Sequence, residues 1–282
     1  MTHAKSKLIF LLLMAVLFPG CARMALYAAP DLVPNLTGAF FEECDPALAR
    51  EALPAELKLM EGLLKNAPQN EQLLTALCMG FSGYAMLFIE EEDPARASTL
   101  YRRARAYGMR ALGIKALTSG NIDDKLAGIG KESIQPLFWT TLSWNGWIRL
   151  NLDNPSALGQ LDMAQKCLDR VMEIDPDVFH GAPYIVYGAL LASKPKMLGG
   201  DPARAAEYFS KAVAVSHGKF FLAQYYYAKT YAVRIQDKKL FSGLVKAVEA
   251  ARPDDIKDAC LINTVMKQKM KALSAAAEDL FF

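Results

Sequence analysis

The side chains able to do chemistry are few and poorly grouped. His180 and His217 are the histidines beyond the leader, 37 residues apart, and neither has the cysteine or carboxylate spacing of a metal site. Both read as cap or turn residues. No GxSxG, no HExxH and no phosphate-cradling glycine loop occurs, so the chain reads as a non-enzyme with no catalytic residues, no metal and no cofactor. The cluster Glu90-Glu91-Glu92-Asp93 has the charge to hold a cation, yet its place before a proline reads as a solvated turn with Asp93 as helix cap. Arg102, Arg103, Arg105 and Arg110 would attract an anionic ligand or partner; the plainer reading is an exposed helix face. Trp144 and Trp147, three residues apart, share a helix face and either line an apolar channel or fill a core. Tyr225, Tyr226, Tyr227 and Tyr231 point around more than one side of their helix, with Tyr227 and Tyr231 forming one stripe.

These residues need positioning elements, and the turn Met197-Leu198-Gly199-Gly200-Asp201-Pro202-Ala203-Arg204-Ala205 shows what those are. Gly199 and Gly200 can take positive φ and end one helix, Asp201 can cap the next, and Pro202 fits its first position. Ala205, Phe209, Ala212, Val213 and Ser216 then fall on one face of a 3.6-residue period. The same unit stands 108 residues earlier, where Asp93-Pro94 leads into Ala97, Tyr101, Ala104 and Gly108. Gly80 and Gly188 each precede their unit by the same interval. A third copy reads Ala164, Leu168 and Val171 and closes with Asp175-Pro176; Leu240, Leu244 and Ala247 repeat the pattern weakly. A shared register over several elements predicts an all-α chain, a tetratricopeptide-like solenoid of helical hairpins with terminal capping helices.

The N-terminus predicts a compartment. Lys5 and Lys7 precede an apolar run from Leu8 to Phe18, too short for a spanning helix of about 20 residues but suited to a signal peptide. Phe18-Pro19-Gly20-Cys21 places a cysteine where a lipobox would, although Phe18 and Pro19 depart from the usual residues. The expected division is a lipoprotein signal peptide at 1–20, a lipidated tether and extended entry at 21–44 beginning with acylated Cys21, and a helical-repeat domain at 45–282. The alternative is a secretory leader cut near Ala28 or Ala29. Beyond the leader, 30 basic residues balance 30 acidic ones, which gives no support to nucleic-acid binding. Apolar residues form 52% of the chain, more than one solenoid face needs, and so suggest a self-association surface. Cys78, Cys167 and Cys260 lie on apolar helical faces; a disulfide from Cys44 is open as to partner.

The run from Pro183 to Phe241, with GALLASKPKMLGGDPARAAEYFSKAVAVSHGKFFLAQYYYAKTYAVRIQDKKLF, resembles the T component of tripartite ATP-independent periplasmic (TRAP) transporters. GFSGYAMLFIEEEDPARASTLYRRARAYGMRAL, Gly80 to Leu112, resembles the first half of the same family. The likeness extends over roughly Leu57 to Ala251, and the Leu-Gly-Gly-Asp turn and Lys219-Phe220-Phe221 are its more specific parts. The resemblance implies a periplasmic, membrane-anchored lipoprotein that binds the solute-binding subunit, self-associates (as a trimer) and provides an apolar passage for a hydrophobic or organic-acid ligand. Trp144, Trp147, Phe220, Phe221, Tyr227 and Tyr231 are the residues expected to line that passage, with Lys219 as a carboxylate partner at its rim. A repeat lipoprotein that scaffolds an envelope complex by holding an extended peptide is the alternative.

Overall fold

The computed structural model describes residues 29, 31–194 and 196–281. The leader and Cys21 lie outside the described residues. Among those described, every regular element is helical: α1 (Leu32–Glu42), α2 (Pro46–Asn66), α3 (Glu71–Tyr84) continued by a π-helical stretch (Ala85–Ile89), α4 (Pro94–Ala111), α5 (Ile134–Arg149), α6 (Leu161–Ile174), α7 (Val178–Ser193), α8 (Pro202–Val215), α9 (Phe221–Tyr226) continued by a second π-helical stretch (Tyr227–Ala232), α10 (Lys238–Ala250) and α11 (Cys260–Ala275).

The helices start where local chemistry dictates. The side chains of Asp45, Asn70, Asp93, Asp201 and Asp237 each accept a hydrogen bond from a first-turn backbone N–H, and proline follows Asp45, Asp93 and Asp201 at the first helical position. Gly199 has φ +84° at the turn before α8, whereas Gly200 needs no positive φ. Helices near one another in sequence then pack together: α3 on α4, α4 on α5, and α7 on α8. Ala97, Tyr101, Ala104 and Gly108 of α4, Ala164, Leu168 and Val171 of α6, and Ala205, Phe209 and Ala212 of α8 are all buried, as their spacing predicts. Small residues set the closest approaches. A methyl at Gly108 would overlap Thr140 Oγ1, and one at Gly188 would lie 2.9 Å from the Phe209 ring.

Several expectations are corrected. The extended entry is instead helix α1; Pro34 sits in its first turn, where no hydrogen bond is lost, and Leu36, Phe40 and Phe41 pack on the core. An interior proline ordinarily kinks or breaks a helix, yet α2 runs through Pro54, with buried Leu53 and Leu57 on either side. In α10 the buried face is Phe241, Leu244, Val245 and Val248, one residue out of step with Leu240 and Ala247.

The last helix does more than cover an end. α11 packs on α9 and α10 and also on α1 and α2, so the beginning and end of the array meet. A disulfide joins Cys44 to Cys260 across that meeting, with Cα atoms 5.2 Å apart. Cys78 and Cys167 are buried thiols. The stretch Glu71–Ile89 is long and apolar enough to cross a membrane, but 72% of its apolar 18-residue window is buried inside the fold, as befits a core helix.

Candidate functional site

Two charged regions stand out, both built on α4. The first is the turn that leads into it. Glu90 accepts from Tyr101 Oη at 2.7 Å and pairs with Arg149 of α5. Glu91 accepts from Lys229 Nζ at 2.9 Å and Tyr225 Oη at 3.0 Å, both from the α9 region, and lies 3.4 Å from Lys269 of α11. Glu92 takes a two-pronged contact from Arg50 of α2. The expected solvated turn is therefore a junction joining four other parts of the chain. Burial alone pushes the Glu91 carboxyl up; the lysine hydrogen bond and the charges of Lys269 and Lys229 outweigh it and hold the group at about 2. Asp93 caps α4 as expected.

The second region is a cleft of about 920 Å³ between α4, the 113–117 loop, Trp147 of α5 and residues 154–160. Arg102, Arg105, Arg110 and Lys115 line it, no carboxylate does, and none of the four forms an ion pair among the described residues. Arg105 is the best-positioned. Its guanidinium lies 4.1 Å from the centre of the Trp144 ring, and Nη1 donates to Gln160 Oε1 at 2.9 Å. Gln160 is itself fixed: Trp144 Nε1 donates to the same oxygen at 3.0 Å, and Nε2 donates to the Ser156 carbonyl at 3.0 Å. Burial, with some repulsion from Arg102, draws the Arg105 guanidinium below its ordinary range. Arg110 donates to the Pro68 carbonyl at 2.8 Å. Arg103 leaves the group, since it pairs with Glu61 and stacks on Phe81.

The aromatic residues expected to line one passage are divided. Trp147 reaches the cleft; Trp144 is buried behind Arg105 and supports it. Phe220 is fully buried against Phe179, whose ring also meets Trp139. Phe221 is fully buried too, and its backbone N–H donates to Asn263 Oδ1 at 2.9 Å. Asn263 Nδ2 in turn donates to the Lys219 carbonyl, so the Lys219-Phe220-Phe221 run is clamped through its backbone. The Lys219 side chain is exposed and does not line the cleft. Tyr227 stacks on Phe209 at 4.9 Å, and Tyr231 packs on Tyr227 at 5.4 Å. His217 occupies a turn at φ +50°, and His180 lies in a left-handed excursion with Phe179 and Gly181, 3.5 Å from Asp258.

Gln160 and Lys115 were not singled out by sequence reasoning. A usable signal was there: from Pro94 to Leu117 the chain carries six basic residues and no acidic one. A family model described as TRAP transporter T-component matches residues 42–281. No curated protein matches the chain.

Proposed function

The chain belongs to the TRAP transporter T-component family, and from that premise we propose that it is a periplasmic lipoprotein that docks the transporter's solute-binding subunit and helps pass a ligand. The family is one of transporter components and not of enzymes. The match over residues 42–281, nearly the whole described fold, carries the reading. The Cys44–Cys260 disulfide supports it, since such bonds persist in oxidising compartments such as the periplasm. Cys21 is the proposed acylation site, and the helical hairpins form a tetratricopeptide-like array that assembles as a trimer. The ligand is hydrophobic or an organic acid.

Native mass spectrometry of the purified chain, alone and mixed with its solute-binding subunit, tests the proposal. A trimer that captures the subunit is the expected result. A monomer indifferent to it would overturn the reading in favour of an envelope scaffold that holds peptides.

A further inference from the structure

The Arg105 cleft contains an unanswered charge. Four cations face it without an ion pair among the described residues, and no carboxylate lines it. An arginine cannot relieve such crowding by losing its proton. Arg105 is also partly buried, where a charge without a counter-charge is costly. Yet the fold fixes this guanidinium in place, stacking it on Trp144 and anchoring one nitrogen on a glutamine that has no charge to offer. The remaining N–H groups stay available to the cleft. A planar fork held this way matches the two oxygens of a carboxylate. Beside it, Trp147, Met109, Ile114 and Leu117 supply an apolar wall. The volume falls in the range of small-molecule sites, which are apolar with a few convergent polar groups.

We infer that this cleft binds a small organic anion, its carboxylate held by Arg105 with help from Arg102, and its apolar body laid against Trp147. Arg105 is the residue that sets head-group specificity. The inference deepens the transport reading and rests on the protein's handling a ligand. It moves recognition from the Lys219 rim to a site in the first half of the chain, and makes the ligand's charge, besides its apolar body, the feature recognised.

The test is a tryptophan-fluorescence titration of the full chain, since Trp144 and Trp147 are two of its three tryptophans. The probes are phenylbutyrate, phenylbutanol and phenylbutylamine, which share a body and differ in head group. Phenylbutyrate should give a saturable change, with the alcohol and the amine at least about tenfold weaker, the factor expected for one charge-assisted contact. Arg105→Met, which keeps an apolar stem on Trp144, should weaken phenylbutyrate roughly 10- to 100-fold, and Arg105→Lys should recover part of the loss. The Arg102 side chain makes no hydrogen bond or ion pair among the described residues, so Arg102→Ala keeps the test open even if Arg105→Met fails to fold. It should weaken binding about threefold.

Equal binding of the three probes, no saturable change, or unchanged affinity in both variants would overturn the inference. Capture of the solute-binding subunit is measured on the same variants. Capture retained while phenylbutyrate is lost supports a ligand site. Capture lost in Arg105→Met, with no phenylbutyrate binding by the parent chain, would make the cleft a protein-docking surface and overturn the inference while leaving the transport reading intact.

Discussion

The acidic turn at 90–92 and the basic cleft further along the same helix are opposite solutions to placing charge in a helical array. At the turn, each of the three glutamates meets a cation, and two also take a tyrosine hydroxyl. Those contacts hold together parts of the chain up to 178 residues apart, from Glu91 to Lys269. In the cleft, four cations converge with no counter-charge opposite them among the described residues. Charges that are paired within the fold have been committed to the fold. Charges that the fold positions and leaves unpaired are available to something else.

Mutation should separate the two regions. The largest effect is expected at Glu90, whose side chain is only 10% exposed. Glu90→Gln leaves the half-exposed Arg149 guanidinium without its counter-charge and should cost about 2 kcal/mol in urea unfolding, with phenylbutyrate affinity unchanged. A loss of affinity there would break the distinction.

Glu56 sharpens it from the other side. Both its oxygens are buried without a hydrogen-bond partner, and burial raises the carboxyl to about 7. Its folded-state value lies above its unfolded one, so the folded protein binds the extra proton. The group imposes no penalty below about 4.5, and stability is lost as pH rises from there through about 7. Glu56→Gln should therefore gain on the order of 2 kcal/mol at pH 8 and nothing at pH 4, read from melting curves at the two pH values.

Glu91 behaves in the reverse sense. Its folded-state value is depressed, so its contribution is present above about 4.5 and is lost as pH falls toward about 2. The side chain is 47% exposed and its ion pairs are screened, so Glu91→Gln should cost about 1 kcal/mol at neutral pH and flatten the acid limb of the stability curve. The smallest effect belongs to the cleft. Arg102→Ala should change stability by less than about 0.5 kcal/mol, since it removes repulsion and no contact. A large loss would show that the cleft cations are structural after all.

Much of this was legible locally. The aspartate caps, the proline starts and the buried faces of α4, α6 and α8 follow from residues within one or two turns of each other, where propensity and periodicity act. The misreadings have local causes as well. Pro30 and Pro34 suggest extended chain, although Pro34 in a first turn costs a helix nothing, and β-branched Val245 and Val248 with Phe241 moved the face of α10 by one residue. The Glu91–Lys269 pair and the Cys44–Cys260 bridge, 178 and 216 residues apart in sequence, depend on α11 returning to the first helices, which no local pattern specifies. The cleft lay between these cases. Its arginines were visible and their charge was noted, but whether they had partners depended on acids elsewhere in the chain.

The return of α11 has a mechanical consequence. If the chain is pulled between its two ends, the force enters at Cys44, crosses the sulfur bridge and leaves through Cys260. The helices within that covalent loop, with the cleft and the acidic junction, carry no tension and add no length. A pull on the two ends thus loads the fold without drawing the cleft or the acidic junction out of shape. Only reduction of the bridge would put them under load.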